Sequence, residues 1–412
     1  MSDLASDLPD VPPQGEDGPA KRAVALLVWA QSVLGAQLPV HFILGGLVGQ
    51  MLAETPALAT LPISMIVIAS MVAAPILSQL MGRYGRRTGF FIGAGFGALS
   101  GLVAVEAILA RDFALFCGAT ALSGVYLAAH NLYRFAAADL ASDAFRPKAI
   151  SYVMAGGLMA AILGPEIVRQ FGEAMEPVPH AGAYRALVIL NILGALPLLL
   201  LRIPRPPRPE RGAPRAGRPW GEILRERRLV VAMLCAMVSY ALMNLVMTST
   251  PLAMVLCGFG TGDAAEVVRA HVLAMYAPSF FTGALIARFG APRIIATGLA
   301  LLAIAALIGT HGIALGNFFG ALILLGIGWN FGFVGATAML AEALRPEERA
   351  RVQGMNDFLV MALVSVASLS SGVLLAEAGW EVVLLATAPF LALAGGALVW
   401  LLLREGLQPS RG

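Results

Sequence analysis

Charge is what this chain has least of. Asp, Glu, Lys and Arg make up 13% of its 412 residues, against 58% apolar residues, and the mean hydropathy is +0.79. A water-soluble chain of this length would form about two or three domains, each needing a polar skin that these residues cannot supply. Cysteine is nearly absent as well. Cys117, Cys235 and Cys257 all lie in apolar runs, with no metal-ligand spacing and no disulfide framework. No glycine-rich phosphate loop is present, which argues against direct ATP coupling. No nucleophile–base constellation suggests an enzyme, and nothing calls for a cofactor or a metal. The net charge of +3 is small and not gathered on a nucleic-acid face. The start, Met1 to Ala20, is acidic and lacks the apolar core of a signal peptide.

What the chain does have is apolar runs of bilayer-spanning length. Twelve spans are expected. The first six run near Ala23–Val48, Ala57–Met81, Thr88–Ala110, Phe113–Leu140, Lys148–Phe171 and Tyr184–Leu201. The other six run near Leu229–Cys257, Ala264–Ala287, Pro292–Gly312, Leu315–Leu344, Val352–Ala376 and Trp380–Leu403. Of the 28 basic residues, 23 fall in the even-numbered connections and the tails. The positive-inside rule therefore predicts both termini in the cytoplasm. The resulting plan is a tail (1–22), a six-helix bundle (23–201), a basic Pro/Arg-rich linker (202–228), a second bundle (229–404) and a short tail (405–412). The linker should be extended and solvated, because Pro breaks helices and like charges repel.

The halves repeat. Ser78-Gln-Leu-Met-Gly-Arg-Tyr-Gly-Arg-Arg87 after span two matches Gly283-Ala-Leu-Ile-Ala-Arg-Phe-Gly-Ala-Pro292 after span eight, with Arg83 on Arg288 and Gly85 on Gly290. Phe145-Arg-Pro after span four matches Leu344-Arg-Pro after span ten, which sets Asn131 on Asn330. Duplicated six-span halves are a common transporter plan, with the substrate site at the midplane between them.

Topology, repeat and motif together resemble the major facilitator superfamily over essentially the whole chain. That family's cytoplasmic signature, G-x-x-x-D-R-x-G-R-R/K, is met here by Arg83, Gly85, Arg86 and Arg87, with Ser78 for the glycine and Gly82 for the aspartate. The resemblance implies an all-α membrane fold of two pseudo-symmetric bundles and a cytoplasmic latch, with the arginines reaching acidic groups such as Asp139 or Asp357. The glycine at 82 would let the turn bend tightly. Two departures count against the drug–proton exporters of the family: Thr120 stands at the place of their span-four arginine, and Gly164-Pro165 is all that remains of their span-five signature.

The resemblance also implies that spans one, four, seven and ten line a central cavity. Polar residues at lipid depth are costly unless they face a partner or water. Span four stacks Tyr126, His130 and Arg134 at i, i+4 and i+8, beside Asn131 and Tyr133. Arg134 could line the cavity, snorkel to the cytoplasm or pair with Asp139. Span seven repeats the spacing with Tyr240, Asn244 and Thr248. Span one offers Gln31, Gln37 and His41, with Pro39 as a kink, and span ten offers Trp329, Asn330 and Phe333 among glycines. Interhelical hydrogen bonding is the plainer alternative for each amide. Glu166, His130 and Asp357 are candidates for proton coupling, with capping of span eleven or pairing with loop arginines the alternative for Asp357.

Aromatic faces and amides without several cations suit a flat, neutral, hydrogen-bonding solute. The segments Met247–Met254 and His271–Gly283 resemble a bacterial subgroup associated with riboflavin uptake. The expected function is secondary transport of such a solute across the bacterial inner membrane by a monomer in the lipid bilayer. Multidrug efflux and a non-transporting sensor or assembly factor stand as alternatives.

Overall fold

The computed structural model describes residues 18–54, 58, 61–175, 178–203 and 217–406. Nearly all of these residues are helical, because apolar backbone at lipid depth must satisfy its own hydrogen bonds. Spans one to six are Gly18–Leu52, Leu61–Tyr84, Arg86–Ala110, Phe113–Leu140, Arg146–Phe171 and Ala181–Leu200. Span seven is Arg227–Leu256, span nine Ala291–Thr310 and span ten Leu315–Ala343. Span eight is a pair of helices, Thr261–Tyr276 and Ser279–Phe289, with 41° between Glu266–Tyr276 and Ser279–Phe289 where Pro278 interrupts the ladder. The segment Pro346–Arg404 has 59 residues. At 1.5 Å per residue it would run about 88 Å, nearly three times the hydrocarbon core. It is a short turn, Pro346–Glu348, and then two spans, eleven from Arg349 and twelve beyond, parted at Gly379, whose φ of 82° no other residue type adopts easily. Twelve spans result.

The first span starts earlier than expected, at Gly18, and tightens to a 3-10 turn at Leu34–Ala36. Pro39 explains the turn, since it has no N–H to offer the carbonyl of Gly35. The linker differs from expectation at its far end. Residues 204–216 lie outside the described residues, but Arg218 is docked rather than solvated. Its Nε and Nη2 donate to the two oxygens of Glu348, at 2.8 and 2.7 Å. Glu348 is fully buried in the connection before span eleven. The Arg218 guanidinium beside it holds its carboxyl at about 2.

The repeat is physical. Spans one and five, two and four, three and four, and three and six pack together. Their counterparts, seven and eleven, eight and ten, nine and ten, and nine and twelve, do the same. Gly85 and Gly290 both take positive φ, 97° and 85°, and each starts the next helix. The two halves meet along two symmetry-related seams, span two on span eleven and span five on span eight. Small residues permit both. A Cβ on Gly82 would come within 2.6 Å of the Ala350 Cβ, and one on Gly283 within 2.5 Å of the Pro147 carbonyl. Gly82 therefore serves the seam; the turn beside it is made by Gly85.

Gly85→Ala and Gly290→Ala should each destabilise the protein by about 1–3 kcal/mol through backbone strain, seen as a lower melting temperature in detergent. The Glu348 carboxyl is depressed when folded, so its contribution is full above about pH 4.5 and is lost as pH falls towards 2. The stability gap between the wild type and Glu348→Gln should close over that window in acid melts.

Candidate functional site

A small cavity of about 50 Å³ lies between the halves. It has room for no more than a few waters. One wall comes from Gln31 of span one and His130, Asn131 and Arg134 of span four. The other comes from Tyr240, Trp329 and Phe333, with Tyr276 of span eight. The aromatic wall exists because span ten carries glycines. A Cβ on Gly326 would strike the backbone of span eight, on Gly328 that of span nine, and on Gly332 Ser239 of span seven. Span ten can thus lie in the middle of its half, with Trp329 turned to the cavity. Trp329 and Phe333, one turn apart, stack at 5.4 Å with 15° between planes. Tyr240 meets both edge-on, at 5.5 and 5.1 Å. His130 keeps neither ring nitrogen in a well-formed protein hydrogen bond among the described residues, and the Trp329 indole N–H is likewise unused.

Arg134 joins this cavity to the closed seam. Its Nη2 lies 2.5 Å from Oδ1 of Asp357 on span eleven, with the side chains 3% and 1% exposed. Its Nη1 donates to the Asn131 carbonyl at 2.7 Å, and its guanidinium lies over Phe333 at 4.6 Å. Asn356 donates to the same carboxylate. Arg134 sits roughly 9 Å inside the end of span four. Its partner is Asp357 rather than Asp139, and it does not snorkel. Nor does Asp357 cap its helix.

Asp139 belongs to the layer outside that pair. Arg86 reaches it at 2.6 Å and Arg349 at 3.4 Å, while Arg86 also donates to Gln353 across the seam. Ser78, standing where the signature has glycine, donates to the Ala350 carbonyl at 2.5 Å. Arg83, Arg87 and Arg288 are exposed and take no part in this network. Of the three arginines in the cytoplasmic signature, Arg86 alone reaches across to the other half among the described residues.

Other candidates sit elsewhere. Gln37 donates to Asn191 at 3.0 Å, the interhelical alternative. His41 is fully buried against Tyr184, away from the cavity lining. Tyr126 lies behind His130, 5.5 Å between centroids. Asn244 is half-buried one turn beyond Tyr240, and Thr248 is exposed. Asn330 is fully buried and spends its amide on the break in span eight. It donates to the Met275 carbonyl at 2.7 Å and to Ser279, and accepts from Thr282 at 2.7 Å. Glu166 pairs with Arg169 and Gln170 on a partly exposed face, off the cavity. Thr120 donates to the Cys117 carbonyl. Tyr276 and Met154 line the cavity without having been expected. They stand on spans five and eight, and the Pro278 break beside Tyr276 is the sequence signal for the latter.

The sequence profile of the Major Facilitator Superfamily matches residues 23–277 and 262–411. The chain is 42% identical to the riboflavin transporter RfnT of Brucella anthropi, over 95% of this chain and 97% of that one. It is 27% identical to YddS of Bacillus subtilis, an uncharacterised MFS-type transporter, over 94% and 92%. Its fold superposes on the transporter FucP in the outward conformation with a TM-score of 0.74 and 15% identity, covering 93% and 99%.

Removing either member of the Arg134–Asp357 pair strands a buried charge. Arg134→Ala or Asp357→Ala should cost about 3–5 kcal/mol, and Arg134→Met with Asp357→Leu much less than the sum. Melting temperatures of the three variants in detergent test this.

Proposed function

The chain belongs to the major facilitator superfamily, and on that premise we propose that it takes up riboflavin, or a solute equally flat and neutral, across the bacterial inner membrane by alternating access. The observation that carries this reading is the two-faced cavity. The stacked Trp329–Phe333 pair and Tyr240 offer aromatic faces to a fused ring. Gln31 and Asn131 opposite can donate to and accept from the polar edge of such a ring. Arg134, the cation in this wall, is already matched by Asp357, which suits an uncharged cargo better than an anionic one. The relationship to RfnT supports the same solute.

The seams close at the end of the bundle where Arg86, Asp139 and Arg349 gather. The positive-inside rule assigns that end to the cytoplasm, which makes this the conformation shut on the cytoplasmic side. At about 50 Å³ the cavity is contracted; sites for drug-sized ligands run to roughly 300–1,000 Å³. Cargo entry must widen it, and a cargo that displaces Arg134 loosens the pair that locks the seam. In this reading Arg86, Asp139, Arg134 and Asp357 form the gate, and His130 is the coupling group in the cavity wall.

Cells making the protein should accumulate labelled riboflavin faster than cells without it, and a protonophore should abolish the accumulation. No protein-dependent uptake, with membrane insertion verified, would sink the proposal. Trp329→Phe, which keeps most of the buried ring, should raise the half-saturating concentration about tenfold, equivalent to about 1.4 kcal/mol, and lower the melting temperature less than Trp329→Ala does. Asn330→Ala should lower the melting temperature with little change in half-saturation, since its work is to hold span eight. His130→Gln should lose accumulation while keeping riboflavin exchange between the two sides of vesicles.

A further inference from the structure

A second concavity, about 910 Å³, opens on the lateral surface between spans one and five. Its floor and walls include Val28 of span one, Tyr152 and Met159 of span five, and Phe280 of span eight. Tyr152, Met159 and Phe280 are 41%, 48% and 60% exposed. One end differs from the rest: Lys21 and Lys148 stand there, near the starts of their two spans. The chain has two lysines among its 28 basic residues, and both line this groove. Neither ammonium is in an ion pair among the described residues; that of Lys21 lies 5.9 Å from the Phe145 ring. The neighbouring Arg146 is already spent on Asp143 at 2.7 Å.

From Lys21 to Ser32, and equally from Lys148 to Met159, the groove follows its helices for about 16 Å. That is one leaflet's share of a hydrocarbon core of about 30 Å. The cations thus lie at headgroup depth and the apolar walls at acyl depth. We propose that this groove holds one anionic phospholipid, its phosphate between Lys21 and Lys148 and an acyl chain laid against Val28 and Met159. Two ammonium groups with no carboxylate partner among the described residues favour a lipid of net negative charge over one whose phosphate is balanced by its own amine. Because Phe280 belongs to the other half, the seated chain touches both halves in the conformation described. The proposal depends on the chain spanning a membrane and not on which solute it carries.

Native mass spectrometry of the delipidated full-length protein tests this, titrated with phosphatidylglycerol or with phosphatidylcholine of the same chains. One phosphatidylglycerol should be retained, with phosphatidylcholine at least tenfold weaker. Lys21→Ala combined with Lys148→Ala should weaken phosphatidylglycerol at least tenfold without changing the melting temperature of the lipid-free protein, since both sites are at the surface. Met159→Trp, which fills the groove and keeps both lysines, should weaken it similarly. Equal retention of the two lipids, or unchanged retention by the lysine variant, overturns the site. Full displacement of the lipid by chainless glycerol phosphate would show that the lysines hold a free phosphate and would also overturn it.

Discussion

The Arg134–Asp357 pair joins the two halves from within, behind the outer layer of Arg86, Asp139, Arg349 and Gln353 and beside seams of small residues. A single charge at the centre of a spanning helix costs about 2.5–3.5 kcal/mol on insertion scales. Each member is tolerable here because the other is 2.5 Å away, with Asn356 and the Asn131 carbonyl taking further bonds. The arrangement is conditional: it is satisfied only while spans four and eleven stay together. Such a pair stabilises this arrangement of the halves and penalises their separation.

The seams have the same logic. Gly82, Gly283 and Gly354 let backbones approach so closely that a methyl group would collide. Such contacts rest on packing and a few hydrogen bonds, among them Ser78 to the Ala350 carbonyl and Ser151 to the Ser279 carbonyl. In lipid there is little hydrophobic drive to hold helices together, so these seams can part at modest cost. The two are related by the repeat, span two on eleven mirroring span eight on five. Opening one without the other would shear the bundle, which favours a rocking of whole halves.

The paired asparagines of the repeat show how duplication diverges. Asn131 and Asn330 occupy matching positions. Asn131 lines the cavity and gives its carbonyl to Arg134. Asn330 faces a broken helix and satisfies its loose carbonyl at Met275. The difference lies in the neighbours: span eight breaks at Pro278, and its symmetry mate, span two, runs unbroken through Pro75. One residue type at one register position therefore lines the cavity in one half and braces a broken helix in the other.

Hydropathy alone determined the twelve helices, because lipid leaves the backbone no other partner; the basic loops and the Gly85/Gly290 register followed from composition and spacing. The aromatic wall of Tyr240, Trp329 and Phe333 was legible too, since each is a bulky ring on a span that the family resemblance sets at the central cavity. What the chain's order could not reveal was which partner each polar group takes. Asp139 is five residues from Arg134 and Asp357 is far along the chain, yet Asp357 is the partner. Gln37 and His41 share a span with Gln31, but a 3-10 turn at Leu34–Ala36 separates them from it. Glu166 spends its charge one helical turn away, on Arg169. Pairings across halves depend on helix rotation and on the depth at which seams close. Those follow from the summed packing of small residues over several spans, so only the tertiary structure decided them.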